Sequence, residues 1–443
     1  MIRPSRRKVL ATLGASAVGF VGCSASSSAS TTSPKTTTPE TATSTTTAEI
    51  STTGPPPAGV EAFEDAVPAF LRQWNIPGAS VAVAKEGQLV FTRGYGLADK
   101  QCGAPVQPDS LFRIGSISKP VTAVVTLDLI ERGQLALDDS VFEILDQFLP
   151  DDGPTDHRLT ETTVRQHLRH TAGWDNAEIG FDPMFAPIQV AETEGVEPPA
   201  SADTTVRFLT DQRLGYDPGT SYKYANIGYC TLGRVIEAVT DTAYESHVRE
   251  NILSPLGISR MEIGATRLDD RLEDEVRYYG HETIESPFPG EGQVPRPYGA
   301  GHLPAHDANG GWVGSAIDLL RFVRGVDRRL GPRNLLTAET LDQMTARPNV
   351  PNWDGAQQFY GMGWGVIPNG DTAPTLWHDG SLPGSYGFLS HSGNNDLTIA
   401  ALFNRRAPGR QLQTFTVQAQ EMLLETLRNV STWPDRDLFD QFP

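Results

Sequence analysis

The sequence predicts an α+β domain assembled from both ends of the chain, with a helical lobe inserted between them. Three observations carry that reading. Near residue 60, apolar residues at helical spacing lead into two short strand-like runs joined by a tight turn, which is antiparallel rather than alternating βα logic. From about residue 140 to 300 the pattern turns helical, broken by long polar insertions. After Gly310 strand-like runs return, and an amphipathic helix closes the chain.

The elements follow in order. Val60–Trp74 puts Phe63, Val67, Phe70, Leu71 and Trp74 at helical spacing, and Ile76-Pro77-Gly78 ends it. Ala79–Ala84 and Leu89–Arg93 read as a hairpin turned at Glu86-Gly87. A loop, Asp99–Ser110, leads to Phe112–Pro120 and to an apolar helical run, Val121–Ile130. Thr162–Arg169, Thr204–Leu209 and Ile227–Val239 fit helices of the lobe. The segments 175–202 and 264–311, rich in Pro, Gly and acids, exceed ordinary connections and read as binding walls or lids. Helices are expected again at Ser315–Val326 and Thr337–Thr345, strands at Gly361–Val366, Tyr386–Ser390 and Thr398–Phe403, and a last helix at Leu412–Leu427. No internal repeat is apparent.

The N-terminus reads as an address. Arg6-Arg7-Lys8 before the apolar run Ala11–Gly22 is a twin-arginine export signal, too short to remain as a membrane span. Phe20-Val21-Gly22-Cys23 resembles a lipoprotein cleavage box, which would make Cys23 the lipid-bearing first residue; the alternative is an ordinary cleaved signal with an incidental cysteine. Residues 23–58, Ser/Thr/Pro-rich with hardly an aliphatic residue, read as a disordered stalk, leaving 59–443 as the folded domain. The protein is therefore expected outside the cytoplasm, held to the membrane only through that lipid.

Composition narrows the partners. Net charge is −18, and without Arg3, Arg6, Arg7 and Lys8 it is −22, which argues against nucleic acid. Only six lysines stand among the 36 basic residues, so Lys119 is a scarce residue type, and one that burial can turn into a base. Cys102 and Cys230 either pair or serve as small buried residues. His167 with His170, and His302 with His306, lack a visible third ligand, so no metal is expected.

Three short stretches hold residues able to do chemistry together. In Ser116-Ile117-Ser118-Lys119 the first and last residues share a helical face, a nucleophile beside an amine at the positive end of a helix; the alternative is a serine cap with Lys119 in water. In Tyr224-Ala225-Asn226 a phenol and an amide on one turn can face one cavity, or Asn226 can cap the helix that follows. In His378-Asp379-Gly380 a strand can present an imidazole to a cleft while its bare backbone approaches a ligand, or simply end in an exposed turn.

In that order the three resemble the serine hydrolase family of class C β-lactamases, low-molecular-weight penicillin-binding proteins, D-aminopeptidases and related esterases. Phe112–Thr122, Thr163–Trp174, Pro218–Glu237 and Tyr360–Trp364 look similar too, so the resemblance spans residues 60–427. It implies a β-lactamase/transpeptidase-like fold: an antiparallel sheet flanked by the terminal helices, an all-helical lobe, and a cleft between. It also implies roles. Ser116 would form an acyl-enzyme, Lys119 would take or relay its proton, and Tyr224 would serve as second base. The backbone N–H groups of Ser116 and Ser381 would hold the oxyanion, and Asn226, His378 and Gly380 would contact the substrate. No cofactor is implied.

One departure bears on the substrate. Where β-lactamases carry Lys-Thr-Gly, His378-Asp379-Gly380 offers a poorer carboxylate clamp, which moves the expectation from β-lactams towards esters, amides or D-amino-acid peptides. The rival readings are a true β-lactamase or D,D-carboxypeptidase, and a non-catalytic surface protein on the same fold. The sequence does not speak to oligomeric state.

Overall fold

The computed structural model describes residues 49–57, 59–327, 334–370 and 372–442. The signal segment, Cys23 and the stalk up to residue 48 lie outside the described residues. Helix α1 (Ala62–Trp74) leads into the hairpin β1 (Gly78–Lys85) and β2 (Gln88–Asp99), and α2 (Ser118–Glu131) follows. After the lobe, whose longest helix is α3 (Asn226–Thr240), come α4 (Ala316–Arg324), strands β3 (Gly365–Asn369), β4 (Thr372–Leu382), β5 (Ser385–Ser392) and β6 (Leu397–Phe403), and finally α5 (Leu412–Asn429).

The strands form one antiparallel sheet in the order Thr52–Thr53, β2, β1, β6, β5, β4, β3, Phe359–Tyr360, with Ala104–Pro105 alongside β2. The first hairpin and the last strand meet at the middle, Val81 opposite Ala401, so the body is closed by both chain ends. Alternation along β1 explains why both faces are covered. Val81 and Val83 pack with α1 and α5 through Phe63, Phe70, Phe415 and Ala419, whereas Ala82 and Ala84 join the core around α2 and α4. Phe70 lies 5.5 Å from Phe415, ring to ring, tying the terminal helices together.

Helix α2 is buried on every side from Ser118 to Leu129, as an apolar run without a polar face requires. It is the central post on which the site stands.

Several boundaries differ from expectation. Thr52–Thr53 pairs with Tyr95 and Gly94, and Arg93 donates to Gly54 O and Thr52 Oγ1, so the domain begins before residue 59: the otherwise open edge of β2 takes up the last of the stalk. The insertion 175–202 contains the helices Asn176–Ile179 and Pro187–Glu194, and 264–311 contains the hairpin Thr283–Glu285 with Gln293–Pro295. The lobe's run of helices therefore ends by Leu256 rather than near 300. The strand expected at Gly361–Val366 splits into Phe359–Tyr360 and β3 around a turn that contains Gly363 with φ +81°. Cys102 is exposed and Cys230 buried in α3, and they do not pair.

Candidate active site

Ser116 sits in a single 3-10 turn, Gly115–Ile117, that runs directly into α2. Gly115 adopts φ +55°, and a Cβ there would lie 2.8 Å from Ser381 N. On the facing strand, a Cβ at Gly380 would lie 1.8 Å from Ile114 O and 3.2 Å from Ser116 N. Two glycines thus let β4 press its backbone against the turn, which brings the Ser116 and Ser381 N–H groups into one corner. β3 pairs with β4 only as far as Trp377, so among the described residues the edge from His378 to Leu382 carries no strand on that side.

Lys119, the second residue of α2 and one turn beyond Ser116, is wholly buried. Its Nζ lies 3.1 Å from Ser116 Oγ, 2.9 Å from Asn226 Oδ1 and 2.7 Å from Asn309 O, and 4.8 Å from the centre of the Tyr224 ring. Burial pushes its pKa down to about 7, with Asp182 and Asp379 holding it up against a larger fall. The neighbouring charges are carboxylates, so burial alone lowers it. Ser118, which shares the stretch, is buried and donates to Gly115 O, so it does not compete as nucleophile.

Tyr224 hangs from the loop before α3 with its hydroxyl within hydrogen-bonding reach of Ser116. Enclosure pushes the phenol well above its ordinary pKa, an effect that solvent limits because 39% of the residue opens to the cleft. At neutral pH it is a proton-bearing phenol, not a phenolate. Asn226 is the first residue of α3 and makes no cap bond. Its Oδ1 accepts from Lys119 and its Nδ2 donates to Asp182 at 2.7 Å, so it links base to carboxylate instead of reaching freely for an acyl side chain.

The strand motif is arranged differently from expectation. His378 is buried: Nδ1–H donates to Asp379 O at 2.6 Å and Nε2 accepts from Tyr360 Oη at 3.0 Å. Burial and the nearby Lys119 push its pKa down to about 3, so it is neutral and turned away from substrate. Gly380 is buried too, against Ile114 rather than a ligand. Period two along β4 places Asp379 and Ser381 at the cleft in their stead. They line it with Ser116, Tyr224, Asn226 and Asn309, around a volume of about 420 Å³.

Three contributors escaped the sequence reading. Asp182 and Asn309 stand in the two long insertions, where the only signal was that such loops build walls. His170, which the sequence offers as a metal-ligand candidate and within the family-like stretch Thr163–Trp174, is the third. It has φ +56°, its Nδ1 accepts from Ala225 N, and its carbonyl accepts from Lys223 N, so it pins the Tyr224–Asn226 turn from below. His167 bonds Gly228 O and Thr162, His302 bonds Ala200 O, and His306 bonds Asn309, each at a separate protein partner.

A family model described as Beta-lactamase matches residues 63–421. The chain belongs to the β-lactamase family of serine hydrolases. Among its relatives, esterase EstB of Burkholderia gladioli is 29% identical over 341 residues, 72% of this chain and 83% of that one. The D-aminopeptidase of Brucella anthropi is 27% identical over 78% of this chain and 59% of its own length. Among solved structures, the octameric penicillin-binding protein homologue from Pyrococcus abyssi superposes with a TM-score of 0.63 at 25% identity, covering 83% of this chain and 77% of that one. The fold is β-lactamase/transpeptidase-like, and the family's chemistry is that of serine hydrolases.

Proposed function

We propose that this hydrolase is exported and lipid-tethered through Cys23, and cleaves esters, amides or D-amino-acid peptides through an acyl-enzyme on Ser116. The observation that carries the chemistry is Lys119 Nζ, buried 3.1 Å from Ser116 Oγ with a pKa near 7. A neutral amine there takes the Ser116 proton as Oγ attacks the substrate carbonyl. The oxyanion forms in the corner between the Ser116 and Ser381 N–H groups. Tyr224, still carrying its proton, passes it to the leaving group and recovers one from Lys119, so the acyl-enzyme forms with no net proton change. Water then enters by the same relay, giving its proton up through Tyr224 and Lys119 as Ser116 leaves.

The β-lactamase reading is weaker on one observation: His378 is neutral and turned inward, so the side chains of His378-Asp379-Gly380 offer a penicillin carboxylate no cation. Nitrocefin, short-chain 4-nitrophenyl esters and D-amino-acid amides, tested side by side with intact-mass readout of the mature protein, check both parts. The expected result is ester or amide turnover above nitrocefin turnover, an acyl mass on Ser116 that Ser116→Ala abolishes, and a lipid mass on Cys23. Labelling that survives Ser116→Ala overturns the nucleophile, and a mature chain without lipid overturns the tether.

A further inference from the structure

The catalytic cleft holds a carboxylate that the acyl-transfer chemistry leaves unused. Asp379 stands on the edge of β4 beyond its pairing with β3, and lines the cleft with Ser116, Tyr224 and Ser381. Among the described residues its carboxylate makes no ion pair and takes no hydrogen bond from another side chain; its own backbone N–H is its donor. Burial raises its pKa, and Lys119 is the one side chain that counters the rise. That help fades in the acting enzyme, where Lys119, pushed down to about 7, takes the Ser116 proton as a neutral amine. A carboxylate held out of water without a counter-charge is costly, so a cation brought by the substrate is bound strongly beside it.

The rest of the cleft wall brings no competing positive charge. Phe185, Tyr222, Asn226 and Asn309 line it, and the aromatic faces among them attract cations. His306 lines it too, and burial lowers its pKa, so its imidazole is uncharged at neutral pH. Arg406 donates to the Ser381 hydroxyl but lines a separate hollow outside the cleft.

The charge of Asp379 also has a direction. It holds up both the Lys119 amine and the Tyr224 phenol, which sets it on the side of the proton relay. The oxyanion lies at Ser381, two residues further along β4, and Tyr224 is the group that hands a proton to whatever departs. Asp379 therefore faces the departing half of the substrate and not the acyl half.

We propose that Asp379 selects substrates whose departing half carries a protonated amine a few atoms from the scissile bond. The proposal rests on the acyl-transfer reading above and deepens it, narrowing the class to esters and amides of amine-bearing alcohols and amines. The same carboxylate repels a departing group that bears an acid.

Calorimetry with stable amides tests this without any need for turnover. N-[2-(dimethylamino)ethyl]acetamide and its uncharged isostere N-(3-methylbutyl)acetamide are titrated at neutral pH into the mature chain carrying Ser116→Ala, alone and combined with Asp379→Asn or Asp379→Glu. The expected result is at least tenfold tighter binding of the amine, lost with Asp379→Asn and partly kept with Asp379→Glu. Equal affinity for the two amides, or a preference that survives Asp379→Asn, overturns the assignment. A second pair, D-alanine N-methylamide and N-methylisobutyramide, puts the charge on the acyl half instead. A larger Asp379-dependent preference in that pair overturns the orientation. Failure of the acyl-transfer reading shows separately, as absence of any acyl mass on Ser116 in the wild type.

Discussion

The two walls of the cleft work by opposite means. On the α2 wall side chains act: Ser116 and Lys119 project from one helical face, and burial tunes the amine. On the β4 wall the backbone acts: Gly380 has no side chain, His378 points inward, and the Ser381 N–H is what reaches the reacting corner. A motif on a helix announces which side chains meet, because residues three apart must share a face. A motif on a strand edge announces only that backbone is available, and period two decides which neighbours face the ligand.

The largest effect that would break this contrast is on the α2 side. Lys119→Met is expected to lower kcat/KM for a 4-nitrophenyl ester on the order of 10³-fold or more, as loss of a general base does. The same change should leave the melting temperature at pH 7 level or raise it by up to about 5 °C, because an amine held at full burial opposes folding. The sign follows from linkage: with a folded pKa near 7 against 10.5, the wild type gains stability as pH rises from 7 towards 10.5, and the variant should not. A large fall in melting temperature would show that Lys119 is chiefly structural.

A smaller effect sharpens it. In the proposed mechanism Lys119 acts as a neutral amine, so kcat/KM should rise with pH along one acid limb centred near 7. Asp182 holds that pKa up, and Asp182→Asn should move the limb to lower pH while leaving Asn226 a partner. A limb that stays in place in Asp182→Asn would mean that another group titrates.

How much of this was legible in the sequence follows the same division. The long periodic helices were placed to within a few residues, because Phe63, Val67, Phe70 and Leu71, or Phe415, Ala419 and Leu423, carry the period themselves; the short ones, such as Pro187–Glu194 and Tyr244–Val248, were not. The pairing of Ser116 with Lys119 was legible for the same reason. The inward turn of His378 was not: whether a strand residue faces cleft or core depends on the strand beside it, and the pairing of β3 with β4 ends at Trp377, opposite Gly365 where β3 begins. Asp182 and Asn309 were hidden more deeply. Each reaches the site from a distant segment, by a contact that no local spacing encodes.

The smallest effect belongs to the residue that the family motif makes most conspicuous. If the imidazole of His378 clamped substrate, His378→Gln would impair anionic substrates selectively. In the arrangement found here, the Gln amide can still accept from Tyr360 and loses only the bond to Asp379 O, worth about 1 kcal/mol. The variant should therefore lose less than tenfold in kcat/KM, and equally for 4-nitrophenyl acetate and its 3-carboxy analogue. Its stability carries a second signature. A histidine with a folded pKa near 3 binds fewer protons than its unfolded form below pH 6.5, so the wild type loses stability as pH falls from 6.5 towards 3. His378→Gln should flatten that loss in a thermal melt series. A selective loss on the carboxy ester, with the acid slope unchanged, would return His378 to the cleft and place the substrate's carboxylate there.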